Sequence, residues 1–278
     1  MKPSTLIKGL LLGALLGFAY YPTFVWMADR WMASDSYYAH GFLIPLVSLF
    51  WIYTKRDAIR QAERETDPRG LIVLLAGVGL QAVSFFLRFY FLSAFSFVIT
   101  LLGLVLYLTG RNVFRQIWFP ILFLAFMIPL PLLVIAQVTL KLKFFVSEIA
   151  TWLINQTKIE AVRQGSYIYM PNSVLVVGDP CSGLRSFLAF LTLGFIFAYD
   201  PKLSFWKKAV VVTSGLPLAI ASNVIRVVFL GFFGEIYGME HTGPGQLPHD
   251  LSGIVVFVVA FICFMEIRKK LGAFNVSK

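Results

Sequence analysis

The sequence predicts an all-α polytopic membrane protein with about eight transmembrane helices and a short extracytoplasmic β-hairpin. Three observations lead to this fold class. The 278 residues are 58% hydrophobic and only 14% charged, whereas soluble domains carry about a quarter charged residues. The apolar residues fall into runs that approach or exceed the roughly 20 residues a helix needs to cross a bilayer. The basic residues gather between alternate runs, as they do in cytoplasmic loops.

Eight apolar runs are the candidate spans, and we expect them to form one membrane domain over residues 1–278. They cover residues 7–27, 41–54, 71–87, 91–109, 117–136, 184–199, 209–233 and 251–267. The second and sixth runs are short, so their helices need flanking residues to cross the bilayer. The first run is too long for a signal-peptide core and lacks a small-residue cleavage site, so we expect a retained span.

The net charge of +10 could suggest a nucleic acid partner, but the positions of the basic residues favour a plainer reading. They lie at or before the start of the first run and follow the second, fourth, sixth and eighth: Lys2, Lys8, Lys55, Arg56, Arg60, Arg64, Arg69, Arg111, Arg115, Lys202, Lys207, Lys208, Arg268, Lys269 and Lys270. By the positive-inside rule these segments are cytoplasmic. We therefore expect a multi-pass protein of the inner (cytoplasmic) cell membrane, with both termini in the cytoplasm and the lipid bilayer, not nucleic acid, as its partner.

Residues 137–155 must then begin and end on the outer side of the membrane. Lys141, Lys143 and Glu148 are spaced among apolar residues so that a helix would have one apolar and one polar face. This pattern predicts a helix that lies in the interface or re-enters the membrane. The alternative is a ninth span, which would invert everything after it and place the later basic clusters outside.

Two short strands are predicted at 167–170 and 173–177, on either side of a Pro171–Asn172 turn. The extracytoplasmic hairpin that they form leads the chain directly to Cys181, which we expect at the start of a helix.

Three reactive side chains are expected at one depth near the outer surface. Cys181 opens the sixth run, Arg226 lies toward the outer end of the seventh, and His249 immediately precedes the eighth. A helix N-terminus or a nearby cation lowers the pKa of a thiol, and Cys181 has both opportunities. A histidine can take the thiol proton, and a guanidinium can stabilise an oxyanion. These are the parts of an acyl-transferring cysteine peptidase.

Each reactive residue also has a purely structural explanation. A cysteine in apolar surroundings is usually packing, as we expect for Cys263, although Ser182 beside Cys181 belongs to a polar helix entry unlike a core position. Arg226 could reach the lipid headgroups, but a charge inside an apolar run is a functional candidate by default.

Further side chains could support the site. Asn223 lies one helical turn before Arg226 and could orient it, and Arg185 could anchor a substrate carboxylate or meet lipid phosphate. Asp250 could orient His249 or cap the last helix.

Two other histidines are predicted on the outer side. His40 could line the site or form hydrogen bonds at the interface, and His241 is a weaker candidate base because it lies in a Gly-Pro loop. Three scattered histidines lack the spacing of metal ligands, so we expect neither a metal nor another cofactor.

The motifs CSGLRS, NVIRV and HD, in this order, resemble the exosortase and archaeosortase family of membrane-embedded cysteine transpeptidases. The segments SYYAHGFLIPLVSLFW and GSYIYMPNSVLVVGDPCSG resemble the family too, so the likeness covers most of the chain. It implies that Cys181 is the nucleophile, Arg226 the essential arginine and His249 the third catalytic residue. Asp179–Pro180 departs from the small or acidic non-proline residues expected before the cysteine.

The resemblance also implies the partners. The family recognises exported proteins with a C-terminal sorting signal: a short motif such as Pro-Glu-Pro, a hydrophobic helix and a basic tail. It cuts near the motif and passes the acyl group to an acceptor, often alongside exopolysaccharide production. The alternative is a non-enzymatic transporter or flippase of a lipid-linked glycan, which would use Arg226 to hold phosphate and would tolerate loss of Cys181.

Overall fold

The computed structural model describes residues 3–34, 36–243 and 245–272. In this part the chain is mainly helical, with one three-stranded sheet, and it divides into two compact units, Met1–Pro131 and Leu132–Lys278. The single membrane domain over residues 1–278 stays a prediction. Lys2, which the sequence places in the cytoplasm, lies outside the described residues.

The first unit is built from helices of very different lengths. They are α1 (Pro3–Ala19), α2 (Tyr21–Met32), α3 (Leu43–Thr54), α4 (Arg56–Gln61), α5 (Pro68–Leu87) and α6 (Tyr90–Phe123), and a short 3-10 turn (Leu124–Met127) follows α6. The first apolar run becomes two helices, because the chain bends by 66° between Gly9–Ala19 and Tyr21–Met32.

Helix α6 joins two apolar runs that the sequence predicts as separate spans. A straight helix of its 34 residues would be about 51 Å long, well beyond the roughly 30 Å of a hydrocarbon core. The element is broken at Gly110, whose φ of 77° and ψ of 179° are not helical. A side chain at Gly110 would collide with the carbonyl oxygen of Glu65, so glycine is required there for two reasons.

The two parts of α6 pack against different helices. In the first part, Gly103 faces the backbone of Leu74 on α5. In the second part, the Ser48 hydroxyl of α3 donates to the carbonyl of Pro120 at 2.6 Å, and Trp51 of α3 packs on Phe123. The break at Gly110 therefore separates the part of α6 that packs on α5 from the part that packs on α3.

About eight spans are not confirmed by helix length. In the described residues, α5, the α6 element to Met127, α9 and α10 are long and apolar enough to cross a membrane, and α1 with α2 makes a fifth if the bent pair counts as one. The second and sixth runs form α3 and α8, which are shorter apolar helices. The multi-pass membrane character is clear from these helices, while the number of crossings depends on how α3, α6 and α8 are counted.

The second unit combines the sheet with helices. It consists of α7 (Leu132–Ile154), β1 (Val162–Gln164), β2 (Tyr167–Tyr169), β3 (Val174–Val176), α8 (Leu184–Ala198), α9 (Phe205–Tyr237) and α10 (Leu247–Lys270). The strands are antiparallel in the order β1-β2-β3. One core joins α7, the sheet and α9, and its buried members include Val146, Ile168 and Leu230.

Several predicted elements are confirmed with shifted limits. The predicted hairpin is present as β2 and β3, but β1 extends it to a third strand. The predicted helix at 137–155 is present, but it begins at Leu132 because it takes up the end of the fifth run after Pro131. The last helix begins at Leu247, so His249 lies inside its first turn and not before it.

Candidate functional site

Cys181 lies in a short 3-10 turn, Asp179–Cys181, between β3 and α8. The N–H of Cys181 donates to the carbonyl of Gly178 at 3.0 Å, which closes the turn. Gly183 then adopts a φ of 81°, and a Cβ there would lie 3.2 Å from the Cβ of Asn223. Because α8 begins only at Leu184, the cysteine precedes the helix and is not part of its first turn.

The second unit brings Cys181, Arg226 and His249 together from three elements. The Sγ atom of Cys181 is 3.9 Å from Nε2 of His249, and both residues are 6% exposed. Arg226 on α9 donates from Nη1 to the carbonyl of Pro180 and from Nη2 to the carbonyl of His249, each at 3.1 Å. The guanidinium therefore ties the cysteine turn to the first turn of α10.

The hydrogen bonds around His249 assign its tautomer. Nδ1 is 2.8 Å from Oδ1 of Asp250, and a carboxylate only accepts hydrogen bonds, so Nδ1 carries the proton of the neutral ring. Nε2 then carries the lone pair of the ring, which accepts from Nη2 of Arg226 at 3.1 Å and lies 3.9 Å from Sγ of Cys181. Of the two roles predicted for Asp250, the structure therefore shows the orientation of the imidazole. The other role, capping of the last helix, is not observed, because the N-cap residue of α10 is Gln246.

The environment of Cys181 opposes the thiolate. Burial raises the pKa of the Cys181 thiol above its usual value and outweighs the charges of Arg226 and Lys143, which act in the other direction. The expected effect of a nearby cation is present, but the net shift of the pKa is upward and not downward, because burial of the thiol outweighs it. The resting thiol therefore needs a base to give up its proton.

Two residues near the cysteine were not predicted from the sequence to belong to the site. Lys143 on α7 forms an ion pair with Asp179 of the cysteine turn, and its charge acts on Cys181. Gly253 on α10 faces Arg226, because a Cβ there would lie 3.2 Å from the guanidinium carbon. The only sequence signal for Lys143 was its place on the polar face of an otherwise apolar helix.

Asn223 and Ser182 support the turn. The buried amide of Asn223 donates from Nδ2 to the carbonyl oxygen of Cys181, so it holds the cysteine backbone and was not found to orient Arg226 as predicted. The hydroxyl of Ser182 is buried and accepts from the N–H of Leu184 at 3.3 Å, at the entry to α8.

Three further residues named from the sequence are exposed in the second unit. Arg185 is exposed in the first turn of α8, and the charges that act on the Cys181 thiol are those of Arg226 and Lys143. His241 is exposed beside Glu240, with 3.7 Å between Nε2 and Oε1. Cys263 is a free, exposed cysteine on α10 and was wrongly expected to be core packing.

His40 belongs to the first unit. Its ring stacks on that of Tyr38 with 6.1 Å between centroids, and burial lowers the pKa of its imidazole. Its place in the site stays a prediction. Within the part of the chain that the structure describes, no three His, Cys, Asp or Glu side chains are grouped so that they could share a metal ion.

The chain was compared with known proteins. Residues 30–266 match a family model described as transmembrane exosortase. The matched range covers most of the chain and includes the cysteine turn, Arg226 and His249. Searches of curated proteins and of solved structures gave no match.

Proposed function

The chain belongs to the transmembrane exosortase family, and on this premise we propose that it is a membrane cysteine endopeptidase and transpeptidase. Its substrates are exported proteins with a C-terminal sorting signal, which it cleaves through a thioester on Cys181 and transfers to an acceptor amine. The observation that carries the proposal is that Nε2 of His249 contacts both Sγ of Cys181 and Nη2 of Arg226.

In the first half-reaction, Sγ of Cys181 attacks the scissile carbonyl carbon while Nε2 of His249 takes the thiol proton. The carbonyl oxygen becomes an oxyanion, which Arg226 stabilises. The tetrahedral intermediate collapses, the C–N bond breaks, and His249 returns its proton to the leaving amine. A thioester remains on Cys181, and the signal helix departs.

Arg226 has a donor to spare for the oxyanion. Its Nε atom is buried, and within the described residues it has no hydrogen-bond partner. A buried donor without a partner is costly unless a ligand completes it. Nη2 also contacts the Nε2 lone pair of His249, so movement of the guanidinium toward an oxyanion would release that lone pair for the thiol proton.

In the second half-reaction, an acceptor amine attacks the thioester carbonyl. His249 takes the proton of the amine and gives it to the departing sulfur, which restores the thiol of Cys181. Water in place of the amine would give simple hydrolysis.

We place the site on the outer face of the inner membrane, with both termini in the cytoplasm. The crossings are then α1 with α2, α3, α5, the two parts of α6, α8, α9 and α10, while α7 stays on the outer side. Support comes from the basic clusters and from Arg111 and Arg115, which follow the break at Gly110.

The test is processing in membranes of a co-expressed reporter protein with a C-terminal sorting signal: a Pro-Glu-Pro motif, an apolar helix and an arginine tail. The native protein should produce a shortened reporter, and Cys181→Ala should produce none and trap no thioester. Cys263→Ser is the matched control and should process normally, because Cys263 is exposed on α10. Equal processing by the native protein and by Cys181→Ala would contradict the proposal and favour a transporter or flippase of a lipid-linked glycan.

A further inference from the structure

The sheet that precedes Cys181 has one buried and one open face. Side chains on the first face enter the core shared with α7 and α9: Ile168, Met170, Leu175 and Val177. Side chains on the second face are between 39% and 62% exposed: Val162, Tyr167, Tyr169, Val174 and Val176. This alternation follows from the two-residue period of a strand.

Each edge of the sheet is contacted by a side chain just before its strand begins. At the β1 edge, the Asn155 side chain pairs with the backbone of Ala161: Nδ2 donates to the carbonyl at 3.0 Å and Oδ1 accepts from the N–H at 2.7 Å. At the β3 edge, the Glu235 carboxylate accepts from the N–H of Asn172 at 3.0 Å, so the contact ends before the strand and leaves an open edge along β3 itself.

The ladder shows which groups the open edge presents. Toward β2, the N–H of Ser173 donates to the carbonyl of Met170 and the N–H of Val177 to that of Ser166. Because pairing groups alternate along an antiparallel strand, the N–H and C=O groups of Val174 and Val176 point away from β2. Neither N–H has a hydrogen-bond partner within the described part of the chain.

The sheet is anchored at both of its turns. The Ser147 hydroxyl on α7 donates to the carbonyl of Gly165 at 3.0 Å. The Glu235 carboxylate on α9 accepts from the N–H of Asn172 at 3.0 Å and from the hydroxyl of Ser173 at 2.5 Å. A fixed sheet with an unpaired edge is a preformed template for another strand.

We propose that the open edge of β3 binds the extended segment of the substrate that contains the cleavage motif, as a fourth strand of the sheet. This inference rests on the proposed function and names how its peptide substrate is held. The occupant follows from chemistry: alternate N–H and C=O groups along an edge are matched by a peptide backbone and not by a glycan or a lipid chain.

The position of the edge also fits this occupant. Only Val177, Gly178, Asp179 and Pro180 separate Val176 from Cys181, a chain length of at most about 17 Å. A peptide paired with Val174 and Val176 therefore needs only a few further residues to bring its scissile carbonyl to the thiol. Its side chains would alternate between the exposed face of the sheet, which carries Tyr167 and Val176, and the face toward the core.

Disulfide cross-linking tests the pairing without relying on cleavage. Val174→Cys is introduced in a Cys181→Ser and Cys263→Ser background, and single cysteines are placed at successive positions around the motif of the sorting-signal reporter. Cβ atoms of directly opposite residues in neighbouring strands come close enough for a disulfide. We expect the strongest cross-link at the one reporter position directly opposite residue 174, weaker ones two positions to either side and none at the positions between. The control is Val162→Cys, which is exposed on the same face but belongs to β1, at the opposite edge of the sheet, and should give none.

Each outcome decides the inference. Uniform cross-linking along the reporter, equal cross-linking from Val162→Cys, or none from Val174→Cys would overturn strand pairing. The same reporters are also exposed to the enzyme with Cys181 intact. Processing that depends on Cys181 without alternating cross-links rejects the pairing and keeps the proposed function; absence of such processing rejects the proposed function and the pairing with it.

Discussion

The thiol of Cys181 is governed by two neighbouring cations and by its burial. The positive charge of Arg226 lowers the pKa of the thiol, and so does that of Lys143 on α7, which is paired with Asp179. Because burial raises the pKa of the thiol, any loss of positive charge makes the thiolate scarcer still.

Lys143→Met should therefore raise the pKa of the Cys181 thiol further and slow its alkylation by iodoacetamide at neutral pH. Only the thiolate reacts, so the midpoint of the rate against pH should move upward, while Lys143→Arg should keep it near the native value. The measurement uses a Cys263→Ser background so that Cys181 is the one cysteine left.

Asp179→Asn separates the charge of this pair from its structural role. Loss of the carboxylate leaves Lys143 uncompensated, so the midpoint should move downward, opposite to Lys143→Met. A shift in the same direction for both variants would mean that the pair only fixes the turn.

His249 and Asp250 should differ in their effects on processing of the reporter. His249→Gln removes the proton acceptor and should lower the initial rate about 100-fold or more. Asp250→Asn keeps the imidazole, but its amide can donate to Nδ1 and favour the wrong tautomer, so a smaller loss is expected. His241→Gln is the control and should process at the native rate; a comparable loss there would mean that the wrong histidine was chosen.

The grouping of Cys181, Arg226 and His249 could be predicted from the sequence, because each is a rare polar residue at or near the end of an apolar run. The direction of the Cys181 pKa shift and the role of Lys143 could not. Both depend on how tightly α7 and α9 enclose the turn, and burial of this kind has no signature in the residues next to a cysteine.

At the scale of elements, α5 and α6 depend on glycines that allow close backbone contact. A Cβ at Gly77 would lie 2.7 Å from the backbone N of Thr100, whereas a Cβ at Gly79 on the same helix would meet nothing within 4 Å. Small residues at such positions are what lets membrane helices pack.

Gly77→Ala should therefore destabilise the protein, by about 1–3 kcal/mol as for other overpacked sites. Gly79→Ala adds the same atoms in open space and should be neutral or slightly stabilising, since alanine favours helix. Thermal unfolding in detergent compares the two variants. Equal unfolding temperatures would contradict the packing of α5 on α6.

Helices α5 and α9 were predictable because their apolar runs are long. Strand β1 was missed because Val162–Gln164 is too short to show alternation, and its pairing depends on the turn at Gly165, where φ is 65°. The earlier start of α10 did have a signal: Pro248 stands in its first turn, a position that proline favours.

At the scale of the whole molecule, the break at Gly110 decides on which side of the membrane Cys181 lies. With the N-terminus in the cytoplasm, two crossings by α6 put α7, the sheet and the cysteine turn outside. A single crossing would put them in the cytoplasm, where the motif of an exported protein could not reach Cys181.

Cysteine accessibility in intact cells distinguishes these topologies. Asn112 and Val174 are both exposed, and each is replaced by cysteine in a Cys181→Ser and Cys263→Ser background. A membrane-impermeant maleimide should label Val174→Cys in intact cells and Asn112→Cys only after permeabilisation, because the positive-inside rule predicts a cytoplasmic position for Arg111 and Arg115. Labelling of Asn112→Cys from outside, or protection of Val174→Cys until the membrane is opened, would contradict the outward-facing site. The proposed sorting of an exported substrate requires the first result, since the cleavage motif of such a substrate would emerge only on the outer side.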